Sequence, residues 1–86
     1  MEFEWDEAKR AINLAKHVLD FADVEKLDWA NAVTIADLRF DYGEERYRAF
    51  VRFEGALHSI AFVYRGSVTR ILSFRLANRK ERRLHG

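Results

Sequence analysis

The sequence predicts a single α+β domain over residues 1–86, in which helices lie before and after a mainly antiparallel, four-stranded meander sheet. Apolar residues recur at helical spacing between residues 8 and 19. Four segments of alternating polarity follow between residues 32 and 76, and their close spacing predicts hairpins. A charged run that fits a terminal helix begins near Asn78. Helices on both sides of such a meander are typical of an α+β domain whose sheet is covered on one face.

The N-terminal residues predict a short strand and two helices. The stretch EFEW alternates acidic and aromatic residues, as a short strand does. Asp6 fits the N-cap of a helix of about three turns, because a carboxylate there accepts hydrogen bonds from the first turn. Asp20 fits the cap of a second, shorter helix. The expected buried residues of this second helix are Phe21, Val24 and Leu27.

Strands are predicted near residues 32–39, 46–54, 57–65 and 68–76. Side chains of a strand alternate between the two faces of a sheet, so bulky apolar residues gather on one face of the last three strands. The other face should be open and should carry a patch of basic side chains, which the terminal helix should extend. Its expected members are Arg46, Arg48, Phe50, Arg52, Ser59, Ala61, Val63, Arg65, Ile71, Ser73 and Arg75.

Charge is distributed unevenly along the chain. Residues 1–45 carry 5 basic and 12 acidic side chains, whereas residues 46–86 carry 10 basic and 2 acidic ones, so a net charge of +1 conceals halves of −7 and +8. A clustered cationic surface attracts polyanions, whatever the net charge of the chain. RNA, DNA or an acidic protein would each fit. A solvated helix face is the alternative interpretation of the last basic run.

Composition excludes several kinds of site. There is no cysteine, and the histidines His17, His58 and His85 lack zinc-type spacing, so no metal or other cofactor is expected. The charged N-terminus does not resemble a signal peptide, and no apolar run approaches the roughly 20 residues that span a bilayer. We therefore expect a soluble, cytoplasmic protein without a membrane partner.

The basic face suggests chemistry on RNA. Arginines hold phosphates through paired hydrogen bonds, and a histidine can move protons near neutral pH, so the 2′-hydroxyl of RNA can be made to attack the adjacent phosphate without a metal. His17 is the candidate acid or base, although the dipole at a helix end also favours histidine there; His58 is expected in the core. Glu44 and Glu45 could pair with arginines. The rings that could stack on bases are Tyr42, Phe50 and Tyr64.

The order of motifs resembles a known family over almost the whole chain. The run W-D-x-x-K-x-x-x-N-x-x-K-H from Trp5 to His17 looks like the opening of BrnT-type ribonuclease toxins of bacterial type II toxin–antitoxin systems. The later segments G-E-E-R-Y, R-G at Arg65, R-I-L-S-F-R from Arg70 and A-N-R-K-E-R-R from Ala77 follow in the same order.

This resemblance implies a RelE/ParE-like fold and a metal-independent endoribonuclease that inhibits translation. It also implies a hetero-oligomer with a neutralising BrnA-type antitoxin. The toxin would be bound to operator DNA only through this antitoxin. Catalytic roles would fall on Arg65, Ser73, Arg75 and, less directly, His17. The resemblance adds Lys16 to the RNA-binding residues expected from the basic face and the terminal helix, which are Arg46, Arg48, Arg79, Lys80, Arg82 and Arg83.

Three positions depart from the family pattern, and two other functions remain open. Val18 stands where glycine usually follows the Lys-His pair, so the left-handed turn that glycine permits is not expected. Leu76 replaces a basic residue, and His85 stands near the usual terminal tyrosine. A non-catalytic, ParE-like gyrase inhibitor would need shape rather than proton donors. The basic face could also serve chiefly to bind an acidic antitoxin.

Overall fold

The computed structural model describes residues 1–39, 41 and 43–86, and its sheet holds more strands than expected. The elements are β1 (Glu2–Glu4), α1 (Glu7–His17), 3₁₀ helices at Phe21–Lys26 and Trp29–Asn31, β2 (Val33–Asp37), β3 (Arg46–Phe53), β4 (Ala56–Arg65), β5 (Val68–Leu76) and α2 (Arg79–His85).

The five strands lie in the order β1-β5-β4-β3-β2. β2 to β5 form the expected antiparallel meander, but β1 pairs in parallel with β5 through Glu2–Val68, Phe3–Thr69 and Glu4–Arg70. The sheet is mainly antiparallel, as predicted, but the predicted number of four strands is wrong because β1 joins as a fifth, parallel strand, and the RelE/ParE-like expectation does not match exactly in this detail. The α+β class is confirmed.

Local signals at the N-terminal helices act as expected. Asp6 accepts hydrogen bonds from the backbone N–H groups of Ala8 and Lys9 at 2.8 and 3.2 Å and so begins α1. Asp20 accepts a hydrogen bond from Ala22 in the same way, and the predicted second, shorter helix after it is a 3₁₀ helix. The buried stripe Phe21, Val24 and Leu27 is confirmed.

The main core lies between these 3₁₀ segments and one face of the sheet. Alternation predicts this face correctly on β3 and β4, but a bulge changes it on β5. Ala61 pairs with Ser73 while Phe62 pairs with Ile71, so Leu72 is an extra residue and Ile71 turns into the core. The placement of Ile71 on the basic face is therefore wrong. The buried cluster is Phe21, Val24, Leu27, Ala49, Val51, Ile60, Phe62, Ile71 and Phe74.

The second face of the sheet is not open, because α2 packs on part of it. Phe50, Leu57 and Ala77 form a small buried cluster there, and the His85 ring stacks on Phe50 with centroids 4.2 Å apart. Phe50 is 3% exposed and so cannot stack on a base, contrary to expectation. Within the described residues, neither helix has the length and apolarity that a bilayer crossing requires.

Candidate active site

A groove of about 270 Å³ lies between α1 and the outer edge of β5. The side chains around it include two ammonium groups, one imidazole and one hydroxyl, and no carboxylate. Such a lining favours a polyanionic ligand over a cationic one. The lining residues are Lys9, Ile12, Asn13, Lys16, His17, Leu72 and Ser73.

Asn13 holds the two walls of this groove together. β1 pairs with β5 only as far as Arg70. Beyond that residue, the edge of β5 that faces away from β4 has no partner strand among the described residues. The buried Asn13 amide takes the place of a strand: it accepts from the Phe74 N–H at 3.1 Å and donates to the Phe74 and Leu19 carbonyls at 2.8 and 3.0 Å. The side chain thus satisfies both backbone groups of Phe74 and fixes α1 against β5.

His17 is the last residue of α1 and faces the groove one turn after Asn13. Burial lowers its pKa below the ordinary value of 6.5, and the nearby charges of Lys16 and Arg75 lower it further. A neutral imidazole at pH 7 can accept a proton. His17 therefore has the protonation state of a general base.

The residue after His17 adopts the turn that its type disfavours. Val18 has φ 57° and ψ 31°, the left-handed conformation, and its N–H donates to the Leu14 carbonyl at 2.9 Å. The expectation that valine prevents this turn is wrong. Its side chain is 82% exposed, so no packing compensates for the strained backbone.

Ser73, which lines the groove, and Arg75, which lies beside it, are both on the α2 side of β5. Arg75 is bound by Glu81 of α2 through two hydrogen bonds, Nη1 to Oε1 at 2.7 Å and Nη2 to Oε2 at 3.0 Å. Arg75 also lies close enough to His17 to affect its pKa. The structure thus brings together four of the predicted site residues: Lys16, His17, Ser73 and Arg75.

Arg48 adds a second guanidinium to this end of the sheet. Its side chain is 12% exposed, and Nη1 donates to the Ser59 hydroxyl at 2.7 Å; Ser59 pairs with Arg75 across the strands. Asp37 is 4.0 Å away, the limit of an ion pair. Burial lowers the pKa of Arg48, and repulsion from Arg75 and Arg39 lowers it further. An anion bound nearby would relieve this repulsion.

Arg65, by contrast, lies at the other end of the β4–β5 hairpin. It pairs with Val68, whereas Arg75 pairs with Ser59, and positions 59 and 65 of one strand are about 20 Å apart at roughly 3.3 Å per residue. Arg65 is half-exposed and contacts Glu44 at 3.3 Å. Arg46, at the start of β3, is nearer this end. The structure therefore does not bring Arg65 and Arg75 to one phosphate.

The cations of α2 face solvent. Arg79, Lys80, Arg82 and Arg83 are all exposed. Arg82 donates to the Ala77 carbonyl at 2.8 Å, while the other three have no hydrogen bond or ion pair within the described part of the chain. They form a charged surface beside the buried Arg75–Glu81 pair.

The remaining candidates lie away from the groove. His58 is buried against Phe53 and Phe74, as predicted. Tyr64 is half-exposed on the core face, where its ring contacts Tyr47 and Phe62. Tyr42 lies outside the described residues. Across residues 1–39, 41 and 43–86, no three His, Asp or Glu side chains are grouped to hold a metal ion.

Sequence reasoning missed Asn13 as the clamp, Lys9 as a lining residue and Glu81 as the partner of Arg75. A signal for Glu81 was present: N-R-K-E matches a capping box, in which the residue three positions after the cap turns back toward it. The structure contains this box at Asn78 and Glu81. Turning back brings the Glu81 carboxylate over the end of β5.

Comparisons with known proteins identify the family and a similar fold. Residues 5–81 match the family described as "Ribonuclease toxin, BrnT, of type II toxin-antitoxin system". The chain is also similar to the crystal structure of the Brucella abortus ribonuclease toxin BrnT, with a TM-score of 0.74 and 33% identity over 92% of this chain and 99% of that one. None of the curated proteins matches it. The chain therefore belongs to the BrnT family of ribonuclease toxins of type II toxin–antitoxin systems.

Proposed function

We propose that residues 1–86 form one toxin domain that cleaves RNA internally without a metal ion, and that the reaction takes place in the α1–β5 groove. The observation that carries this proposal is the lining of the groove, in which Lys9, Lys16 and His17 surround a space with no carboxylate and Arg75 lies beside it. A phosphodiester fits such a site because it is anionic throughout the reaction.

The chemistry uses the 2′-hydroxyl of the substrate. Neutral His17 takes the proton of this hydroxyl, O2′ forms a bond to the adjacent phosphorus, and the bond from phosphorus to O5′ breaks. Water supplies the proton for the leaving 5′-oxygen. Arg75 stabilises the charge of the pentacoordinate transition state, and Ser73 orients the phosphate. The products are a 2′,3′-cyclic phosphate and a 5′-hydroxyl.

The other cations bind the RNA backbone on either side of the reacting phosphate. Lys16 lies in the groove itself, and Arg48 lies on β3, where it binds Ser59, the cross-strand neighbour of Arg75. The exposed α2 residues Arg79, Lys80, Arg82 and Arg83 continue the cationic surface. Arg65, about 20 Å from Arg75 along the hairpin, and Arg46, nearer that end of the sheet, contact a phosphate several nucleotides along rather than the one that is cleaved.

Membership of a type II family implies a protein antitoxin as partner. We propose that this is a BrnA-type, DNA-binding antitoxin that forms a hetero-oligomer with the toxin and covers its basic surface. Covering those cations would exclude RNA and so silence the enzyme. In this arrangement the toxin works in the cytoplasm, where it inhibits translation, and reaches operator DNA only through the antitoxin.

The proposal is tested with purified chain, total RNA and excess EDTA, read on a denaturing gel. The parent should degrade RNA, and Arg75→Ala should not. Arg52→Ala is the matched control, because it removes an exposed arginine of the same sheet that lies outside the groove. A short RNA with 2′-deoxyribose at the cleaved position should remain intact, since it lacks the attacking hydroxyl.

Two results would contradict the proposal. Full activity in Arg75→Ala would remove the reaction from this site. An absence of cleavage by the parent, with ribosomes added or omitted, would overturn the catalytic function. In the second case, supercoiling by DNA gyrase in the presence of the chain would test the ParE-like alternative.

A further inference from the structure

Arg75 and Glu81 are fixed to each other more firmly than an ordinary surface ion pair. Both side chains are largely buried, with 23% and 14% exposure. The two Glu81 oxygens each accept from a different Arg75 nitrogen, at 2.7 and 3.0 Å, and Oε1 also accepts from the Asn78 N–H at 2.9 Å. Paired, charge-assisted hydrogen bonds of this kind fix the plane of a guanidinium as well as its position.

The unused hydrogens of Arg75 are also defined. An arginine carries five N–H donors. Two are bound by Glu81, and the second hydrogen of Nη1 is bound by the Leu76 carbonyl at 3.1 Å. The Nε hydrogen and the second Nη2 hydrogen have no partner among the described residues. These two lie parallel on one side of the guanidinium and match two oxygens of a phosphate.

From this we propose that Glu81 is a positioning residue for RNA cleavage: its carboxylate holds Arg75 so that the Nε–Nη2 side of the guanidinium faces the phosphate in the groove. This inference rests on the function proposed above. Glu81 would affect the rate of cleavage without contacting the substrate. Helix α2 would then contribute to catalysis as well as to the charge of the surface.

The local electrostatics support an ionised carboxylate at this position. Burial alone would raise the pKa of Glu81, but the hydrogen bonds from Arg75 and Asn78 outweigh it and hold the pKa below its usual value. Glu81 therefore keeps its charge over the pH range in which a neutral His17 can act. Glu81 therefore stays ionised whether or not His17 carries its proton.

Two other roles for Glu81 make different predictions. If the carboxylate only stabilised the fold, its loss would lower the melting temperature and leave the rate of folded enzyme unchanged. If it inhibited the enzyme by occupying the site of phosphate, its loss would strengthen RNA binding and accelerate cleavage. Positioning predicts a third combination, in which RNA binds as tightly or more tightly but is cleaved slowly.

The test is Glu81→Gln in the full chain, with kcat and KM for a short RNA and the Kd for the same RNA carrying 2′-O-methyl groups. Glutamine keeps one oxygen for Nη1 but turns an amide donor toward Nη2, which releases the guanidinium. We expect kcat to fall about 10- to 100-fold, the loss typical of a misplaced catalytic group, while Kd stays equal or decreases. Glu25→Gln is the control, because this exposed residue undergoes the same change in charge on the other face of the sheet.

A second control separates positioning from helix stability. Asn78→Ala removes the side chain that accepts a hydrogen bond from the Glu81 N–H at 2.8 Å, so it should lower the melting temperature. At temperatures below this lowered melting temperature, its kcat should stay within about threefold of the parent value. An unchanged or increased kcat in Glu81→Gln would overturn the positioning role. If the parent itself cleaves no RNA, both proposals fail; if the parent cleaves and Glu81→Gln matches it, only this one fails.

Discussion

Arg75 and Arg65 lie at opposite ends of the β4–β5 hairpin. The sequence analysis predicted the same catalytic role for both, but the structure gives them different surroundings. Arg75 is largely buried, held by two hydrogen bonds and adjacent to His17. Arg65 is half-exposed and has one contact of 3.3 Å to Glu44. A guanidinium fixed in advance can stabilise a transition state, whereas a mobile one mainly attracts the substrate. This difference supports the proposal that catalysis takes place at the Arg75 end and that the Arg65 end mainly attracts RNA.

Replacing each arginine with lysine tests this comparison most directly. A lysine keeps the charge but cannot form two parallel hydrogen bonds. We expect Arg75→Lys to lower kcat by 10²–10³-fold, as loss of a transition-state donor does, and Arg65→Lys to change it less than about threefold. Steady-state kinetics on one RNA substrate measures both. Equal losses of kcat in Arg75→Lys and Arg65→Lys would contradict the proposed difference between the two arginines.

The next largest effect should come from the clamp that only the Arg75 end possesses. Asn13→Ala leaves both backbone groups of Phe74 and the Leu19 carbonyl without their partner. We expect the free energy of unfolding to fall by about 2–4 kcal/mol, because buried unsatisfied polar groups cost about 1–3 kcal/mol each. Urea denaturation measures the loss. Asn31→Ala, which removes an exposed hydrogen bond to Asp28, should change stability by less than about 0.5 kcal/mol.

The pH dependence of cleavage should reflect the protonation of His17, which lies at the Arg75 end of the hairpin, and should not depend on Arg65. The pKa of His17 is lowered from 6.5, so the base is neutral at pH 7 and becomes protonated only in more acidic solution. The rate kcat/KM should therefore be level around neutrality and then fall up to tenfold per pH unit below the lowered pKa. The residual activity of His17→Gln should lack this limb, and that of Arg65→Lys should keep it. A limb centred above pH 6.5 would contradict the assignment of His17 as the base.

The smallest effect concerns the strained residue beside His17. Val18→Gly removes a side chain that is 82% exposed and permits φ 57° without strain. We expect a gain of about 0.5–1 kcal/mol, since the left-handed conformation costs valine about 1–2 kcal/mol and glycine loses part of this in backbone entropy. Thermal unfolding would detect it as a rise of a few degrees. Lower stability would show that the turn is not strained.

Local patterns predicted most elements, and long-range contacts explain the failures. The cap at Asp6, the buried stripe from Phe21 and the faces of β3 and β4 depend on neighbours in the sequence, so periodicity and capping rules found them. The parallel pairing of β1 joins residues 66 positions apart, which no local pattern records.

The candidate site was predicted in its residue types more than in its geometry. Lys16, His17, Ser73 and Arg75 were named from the sequence, and they do lie together. The bulge at Leu72 changes the face of Ile71, because one extra residue shifts the alternation of a strand. Glu81 was not among the predicted site residues. Its pairing with Arg75 depends on how α2 folds back over β5, which only the structure reveals.

The clamp between Asn13 and Phe74 also determines at what stage of synthesis the α1–β5 groove can form. It joins residues 61 positions apart, so the groove does not exist until β5 has been synthesised and has formed its hairpin with β4. A ribosome that has translated only α1 and the first strands carries a chain with His17 but no Arg75 and no second wall. Under the proposed mechanism the growing polypeptide has no complete active site, and we expect a chain truncated within the sheet to be inactive.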